Sequence, residues 1–397
     1  MMSSEVAAAP TESRDVALSR GLLFLSAALT SGYGVLFTIV GDYRDKYGLS
    51  ETTLGFVIGV GFIVSFISQT LLGPLGDRGH ARKMIVFGAA FNVIGLLMMG
   101  FGTTATVILA GRIIGGLGIG AAGPAIKRIV VVSSGDNVGR NLGMLFSADV
   151  FGFAVGPVVS AVLVGPLGIP GPFIVISVTT VASLLWVWFS VDITEQADDN
   201  APTQLAFGLL RDRTFAGAVF LGMAAYTMIG AFDALWDVVH TDLETPEWMA
   251  NLGIALFAIP LVLLGPTSGK LAQRLGPFLV AGAGMFAATI FMGIYGLLGV
   301  GAAIFAVAMV HALTDGLSFA AAGVAVGLIV ATDRQAGAQG VLGGLQSLAA
   351  GIMAPTTGWV YEHHGQRAAY WLGAGVVLAL VVAGLVTAGG AVRTLKG

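Results

Sequence analysis

Gly73-Pro-Leu-Gly-Asp-Arg-Gly-His-Ala-Arg-Lys83 is a short charged hairpin set between two long apolar runs. A worn copy, Gly269-Lys-Leu-Ala-Gln-Arg-Leu-Gly276, lies half a chain further on, with Gly73, Leu75 and Arg78 falling on Gly269, Leu271 and Arg274. A 397-residue chain that repeats a loop at half its length is two copies of one unit. In an apolar chain, such duplication points to a transporter.

Hydrophobic residues make up 56% of the chain and charged residues 10%, with a mean hydropathy of +0.89, whereas soluble domains carry roughly 25% charge. The chain therefore reads as an integral membrane protein. A bilayer core takes about 20 apolar residues per helix. Runs of that kind are centred near residues 29, 62, 92, 117, 152, 181, 226, 258, 288, 316, 347 and 379, six in each half. The expected fold is an all-α membrane protein, with twelve transmembrane helices in two pseudo-symmetric six-helix bundles. The 59 glycines suit it, because small residues let membrane helices approach closely.

The first 17 residues are polar and mixed in charge and lack the layout of a cleavable signal, so residues 1–17 read as a cytoplasmic tail. A six-helix unit follows over 18–191, then a polar central loop over 192–213 and a second unit over 214–397. Other loops are short, which places the function within the membrane. With both termini inside, fifteen Lys and Arg residues (14, 20, 78, 82, 83, 127, 128, 140, 211, 213, 270, 274, 334, 393, 396) share the cytoplasmic face, against Arg44, Lys46 and Arg367 outside. That bias orients the chain in a cell (inner) membrane. The scattered basic residues make no nucleic-acid surface, and the lack of cysteine excludes disulfide and thiolate chemistry. His363 and His364 on an outer loop have no further ligands at suitable spacing, so no metal is expected, and no cofactor.

Gly73, Leu75, Asp77, Arg78, Arg82 and Lys83 resemble the signature between helices 2 and 3 of the major facilitator superfamily, with His80 and a displaced Gly79 departing from it. Counting the twelve runs and the central loop, the resemblance covers the whole chain. It implies that Asp77 docks at a helix end across the two halves and that Arg78, Arg82 and Lys83 pair with carboxylates, latching the outward-open state, with Arg274 in the second copy. A carboxylate gains by facing a helix N-terminus, which agrees. Arg112-Ile-Ile-Gly-Gly-Leu-Gly-Ile-Gly in the fourth run is similar to a second family signature. At about 12 Å into its helix, Arg112 should face the interior and find a partner, or else snorkel to the outer interface. Gly118-Ile-Gly-Ala-Ala-Gly123 has dinucleotide-binding spacing, but no strand precedes it. Gly152-Phe-Ala-Val-Gly156-Pro157 is similar to the family's antiporter signature, although Ser160 and Ala161 stand where two more glycines are usual. The first run also lacks the proline pattern of drug antiporters.

The remaining intramembrane ionisable residues are the candidates for proton coupling, alongside Arg112. Asp149 lies near mid-membrane. His311 and Asp315 are four apart and share a helix face, as do Asp233 and Asp237. A His and an Asp within reach can pass or hold a proton; the alternative for that pair is a static buried contact, and for Asp237 a solvated helix end. Tyr33, Phe37, Tyr226, Phe232 and Trp236 are the candidate substrate-cavity lining, suited to an amphipathic ligand, including a cationic one drawn by Asp233.

These readings predict a proton-coupled secondary transporter exporting small amphipathic or drug-like molecules by alternating access, with protons, a small-molecule substrate and the lipid bilayer as partners and a monomer as the working unit. The alternatives are an uptake symporter or facilitator for a small metabolite, or a lipid exporter. An enzyme is not expected, since there is no His-Glu-x-x-His, and Asp149, Asp233 and Asp315 show no paired spacing typical of a catalytic dyad.

Overall fold

The computed structural model describes residues 11–190 and 205–395. The expected tail over 1–17 and central loop over 192–213 therefore fall largely outside the described residues. The first half comprises α1 (Thr11–Tyr47), α2 (Glu51–Leu75), α3 (Ala81–Phe101), α4 (Ala105–Ser133), α5 (Val138–Leu167) and α6 (Pro170–Ser190). The second comprises α7 (Arg213–Asp242), α8 (Glu247–Leu275), α9 (Pro277–Tyr295), α10 (Gly301–Gly316), α11 (Ala321–Ile329) and α12 (Gln335–Ala388), with a last short turn, α13 (Ala391–Thr394).

Among the described residues, nine stretches are long and apolar enough to cross a membrane, and α1 crosses as two pieces bent by 47° between Leu36 and Thr38. Two of the nine are too long for one crossing. At 1.5 Å per residue, Thr53–Phe101 with 49 residues and Thr332–Ala388 with 57 each exceed twice a hydrocarbon core of about 30 Å. Each breaks at a left-handed glycine, Gly79 (φ 76°) or Gly365 (φ 79°). Among the described residues the crossings thus number twelve, with α10 and α11 forming one span interrupted by turns at 317–320. A side chain at Gly79 would be strained, which accounts for the displaced glycine in the hairpin.

Small residues set how closely the helices run. A Cβ on Gly95 of α3 would lie 2.5 Å from Gly115 N of α4, and one on Gly118 would lie 2.6 Å from Asn92 N. The dinucleotide-like glycines are therefore a packing face. In the second half, Gly217 of α7 meets Ala388 at 2.8 Å and Gly230 meets the Ala350 carbonyl at 2.6 Å, by the same construction. Outward faces carry Phe56, Phe151, Leu263 and Val386, each more than half exposed, as suits contact with hydrocarbon.

The two halves touch along two seams, α2 against residues 335–364 of α12 and α5 against α8. Both are lined with glycine. A Cβ on Gly73 would approach the Ala336 carbonyl to 2.9 Å, and one on Gly344 would reach Thr70 Cγ2 at 2.7 Å. In the other seam Gly139 and Gly143 oppose Gly269 and Gly265, and a Cβ on Gly265 would lie 2.7 Å from the Gly143 carbonyl. The closest approaches fall at the ends of α2 and α8 that carry the two copies of the charged hairpin.

Candidate functional site

The bend Gly76–His80 carries the Asp77 carboxylate across the first seam. Oδ1 accepts from the Ala336 amide at 2.8 Å and Oδ2 from the Gly337 amide at 2.7 Å. Helix α12 starts at Gln335, so these amides belong to the first turn, whose N–H groups have no acceptor within the helix. Asp77 thereby caps a helix of the opposite half, at the positive end of its dipole. Arg128 Nε of α4 stands 3.2 Å from Oδ1, an ion-pair distance without hydrogen-bond alignment. A Cβ on Gly337 would lie 2.9 Å from Ala206 Cβ, so the end of the segment joining the halves covers the same contact. Arg78 is half-buried, the Arg82 guanidinium lies 3.9 Å over the Trp188 ring, and Lys83 is exposed. The cation that meets Asp77 comes from α4.

The second copy repeats the arrangement without the charge. Gln273 Oε1 accepts from the Gly139 amide at 2.8 Å while Nε2 donates to the Asp136 carbonyl at 2.9 Å. Because α5 begins at Val138, Gln273 caps α5 as Asp77 caps α12. Arg274 beside it is exposed.

Asp149 lies where α1, α4, α5 and α7 converge. Its Oδ1 accepts from Ser26 Oγ of α1, and its carbonyl accepts from Thr30 Oγ1 at 3.0 Å. Lys127 of α4 and Tyr226 of α7 lie within electrostatic reach of the carboxylate. Asp149, Lys127 and Tyr226 are all half-buried. The sequence reading counted Lys127 among the basic residues of the cytoplasmic side; the structure gives it a half-buried place near Asp149. The pattern held a signal for this, since successive helical residues point about 100° apart and Lys127 and Arg128 cannot share one face.

The antiporter-like motif builds this corner. Gly152 packs on Ala27 and Thr30, a Cβ on Gly156 would lie 2.6 Å from Val35 N, and Pro157 Cδ would lie 2.8 Å from a Cβ on Gly34. Close approach of α5 to α1 is what brings Asp149 to Ser26.

Further along α7, Asp233 is half-buried and, among the described residues, makes no hydrogen bond or ion pair. Asp237 is exposed near the helix end. His311 and Asp315 are wholly buried, with Nε2 and Oδ2 3.4 Å apart but misaligned, so both Asp315 oxygens lack a donor. His311 Nδ1 meets the Tyr295 hydroxyl at 2.9 Å. Its ring stacks on Phe291 at 4.8 Å and stands edge-on to Phe257 at 5.6 Å.

Phe232 and Trp236 join this aromatic cluster. Phe232 lies 4.7 Å from Phe257, and Trp236 Nε1 donates to the Ala250 carbonyl at 2.9 Å. Both are buried against other aromatic rings, where the sequence reading expected them to line a substrate cavity; apolar spacing on α7 does not separate the two. Tyr226 and Tyr33 are only partly buried, and the Phe37 side chain lies outside the described residues. Tyr33 lies 3.9 Å beneath the Arg112 guanidinium, whose Nε donates to the Val57 carbonyl at 3.2 Å. Arg112 is 2% exposed, which rules out the snorkelled arrangement, and its contacts are a ring face and a carbonyl. Gly61 makes the room, since a Cβ there would meet Cζ of Arg112 at 2.5 Å.

A family model described as the Major Facilitator Superfamily matches residues 22–250 and again 214–393. An uncharacterized MFS-type transporter of Methanocaldococcus jannaschii is 23% identical over 257 residues, 63% of this chain and 67% of its own length. Multidrug resistance protein 2 of Bacillus subtilis is 24% identical over 262 residues, 62% of this chain and 64% of its own length. Among solved structures, the human organic anion transporter MFSD10 superposes with a TM-score of 0.73 at 14% identity, over 95% of this chain and 100% of that one.

Proposed function

This chain belongs to the Major Facilitator Superfamily, and we propose that within it the protein is a proton-coupled secondary transporter exporting small amphipathic molecules. As a transporter it moves a substrate across a bilayer and is not an enzyme. Export and proton coupling rest on the interior residues. The observation that carries them is Asp149, a carboxylate at the meeting of four helices from both halves, held by a hydroxyl and facing Lys127 and Tyr226. A group so placed can exchange a proton as the halves move, and coupling requires only that proton and substrate favour different arrangements. His311 and Asp315 form a second candidate proton site, relayed to Tyr295. The name of the Bacillus subtilis relative supports a drug-like substrate.

In this reading both termini lie in the cytoplasm, so the Asp77 and Gln273 contacts close the cytoplasmic face and the arrangement described is open outward. The test is dye or drug movement in proteoliposomes under an imposed pH gradient. Transport should collapse with the gradient and in Asp149→Asn or Asp315→Asn. Movement indifferent to the gradient and to both substitutions removes proton coupling, and counterflow in the inward direction alone would make the protein an uptake symporter.

A further inference from the structure

A groove of about 520 Å³ runs along the outward surface of α12 beyond its break at Gly365. Its lining begins at Trp371 and continues through Gly375 and Ala379 to Ala383, with apolar residues between them and no charged group. Trp371, Gly375 and Ala379 are exposed, so the groove opens toward the bilayer. From 371 to 383 it extends about 18 Å at 1.5 Å per residue. One leaflet of a hydrocarbon core about 30 Å thick has close to that depth.

The end of the groove at Trp371 carries a cation. Arg367 precedes Trp371 by one turn, and its guanidinium stands 4.7 Å over the indole ring. The ring itself is fixed against α9, since Nε1 donates to the Gly293 carbonyl at 3.1 Å. A Cβ on Gly296 would lie 2.8 Å from Trp371 Cδ1 and 3.3 Å from the Arg367 carbonyl, so this turn packs closely on the end of α9. Arg367 is exposed and, among the described residues, makes no ion pair and no hydrogen bond through its guanidinium. Its ring contact uses the guanidinium face, which leaves the N–H donors at the edge for another group.

We infer that Arg367 and the groove form a binding site for one phospholipid of the surrounding bilayer, its phosphate on the Arg367 guanidinium and one acyl chain laid along 371–383. The fork of N–H donors on an arginine matches phosphate oxygens, and a tryptophan at the membrane boundary suits the junction of headgroup and chain. Charge and length therefore agree with one ligand. A second copy of the chain is a poorer occupant. Related by an axis along the membrane normal, it would bring two Arg367 side chains to the same depth, cation beside cation. The inference concerns a resident lipid and stands whether or not the protein exports its substrate or couples to protons.

The test uses phosphatidylglycerol with a photoreactive diazirine on one acyl chain, and compares it with diacylglycerol of the same chains and with glycerol phosphate. Binding to the purified full chain in detergent is read by native mass spectrometry, and the cross-links are mapped to peptides. Phosphatidylglycerol should bind at least about tenfold more tightly than diacylglycerol, the worth of one charge-assisted hydrogen bond, with cross-links within 371–383. Arg367→Gln should bring it down to the diacylglycerol level, and Arg367→Lys should keep most of the difference. Gly375→Leu fills the groove without a clash, because a Cβ there meets nothing within 4 Å. By displacing about two methylenes it should weaken both lipids about tenfold, while thermal unfolding without lipid stays unchanged. Equal binding of the two lipids, an unaltered preference in Arg367→Gln, cross-links elsewhere, or glycerol phosphate binding as tightly as the lipid overturns the inference. A dimer that forms in lipid-free detergent and is lost in Gly375→Leu overturns it too, since the groove would then hold a second copy.

Discussion

Replacing Asp77 by Asn tests the seam contact most directly. The carboxylate accepts two backbone hydrogen bonds, at 2.8 and 2.7 Å, and neutralises Arg128 at 3.2 Å. An asparagine keeps one acceptor, presents a donor to the other amide and leaves the arginine without its counter-charge. Hydrogen bonds to charged groups contribute about 1.5 to 3 kcal/mol, and a charge at a helix N-terminus adds about 0.3 to 1. Asp77 meets α12 only while the halves are closed on this face, so about 2 to 4 kcal/mol is removed from the closed arrangement alone. At 1.4 kcal/mol per tenfold, the closed-to-open ratio falls by about 30- to 700-fold. The chain has no cysteine, so a Thr70→Cys reporter is unique, and Thr70 is buried in the α2–α12 seam against Gly344. Its rate of modification by a membrane-permeant maleimide should rise with the open fraction when Asp77→Asn is added. An unchanged rate in a folded protein would show that the cap does not hold the seam.

Gln273→Ala removes a neutral cap worth about 1 kcal/mol, so a Ser147→Cys reporter in the α5–α8 seam should react only about two- to tenfold faster; an effect equal to that of Asp77→Asn counts against the asymmetry. Gly61→Ala drives a methyl into the Arg112 guanidinium, where a Cβ would sit 2.5 Å from Cζ, and should lower stability by about 1 to 3 kcal/mol in thermal unfolding. Tyr295→Phe strips the hydroxyl 2.9 Å from His311 Nδ1 and should cost about 1 to 3 kcal/mol by leaving that nitrogen unpaired. If the His311–Asp315 pair also carries the proton, the same substitution shifts the pH profile of transport, whereas a purely structural contact changes unfolding alone.

The twelve spans and the charged hairpin were legible in the sequence because both are local: a run of apolar residues reports its own length, and Asp77 sits in a motif with its glycines. The capping amides at 336 and 337 were not legible, since nothing in the sequence around Ala336 marks it as an acceptor's target. The place of Lys127 near Asp149 was not legible, because a count of basic residues by side says nothing of which way each side chain turns. Phe232 and Trp236 were assigned to a cavity surface for a related reason. In water an apolar stripe marks the buried face, but in a bilayer lipid, neighbouring helices and a cavity wall all accept aromatic residues, so periodicity loses its pointer. The bend of α1 at Phe37 and the interruption between α10 and α11 also leave no clear trace in composition.

The unlike caps on the two seams bear on the path of opening. An ionic clasp weakens with anything that competes for Arg128, and with added salt once the seam admits it, since a buried pair is little screened, whereas the Gln273 amide has no charge to screen. Ionic conditions therefore act on one side of the closed face. Under the proposed alternating access, the α2–α12 edge is expected to loosen before α5 leaves α8, so that the halves part as a wedge. In that case a ligand approaching from that face would first meet a slot along α2 and α12, and molecular width across it, more than total volume, would set which molecules pass early.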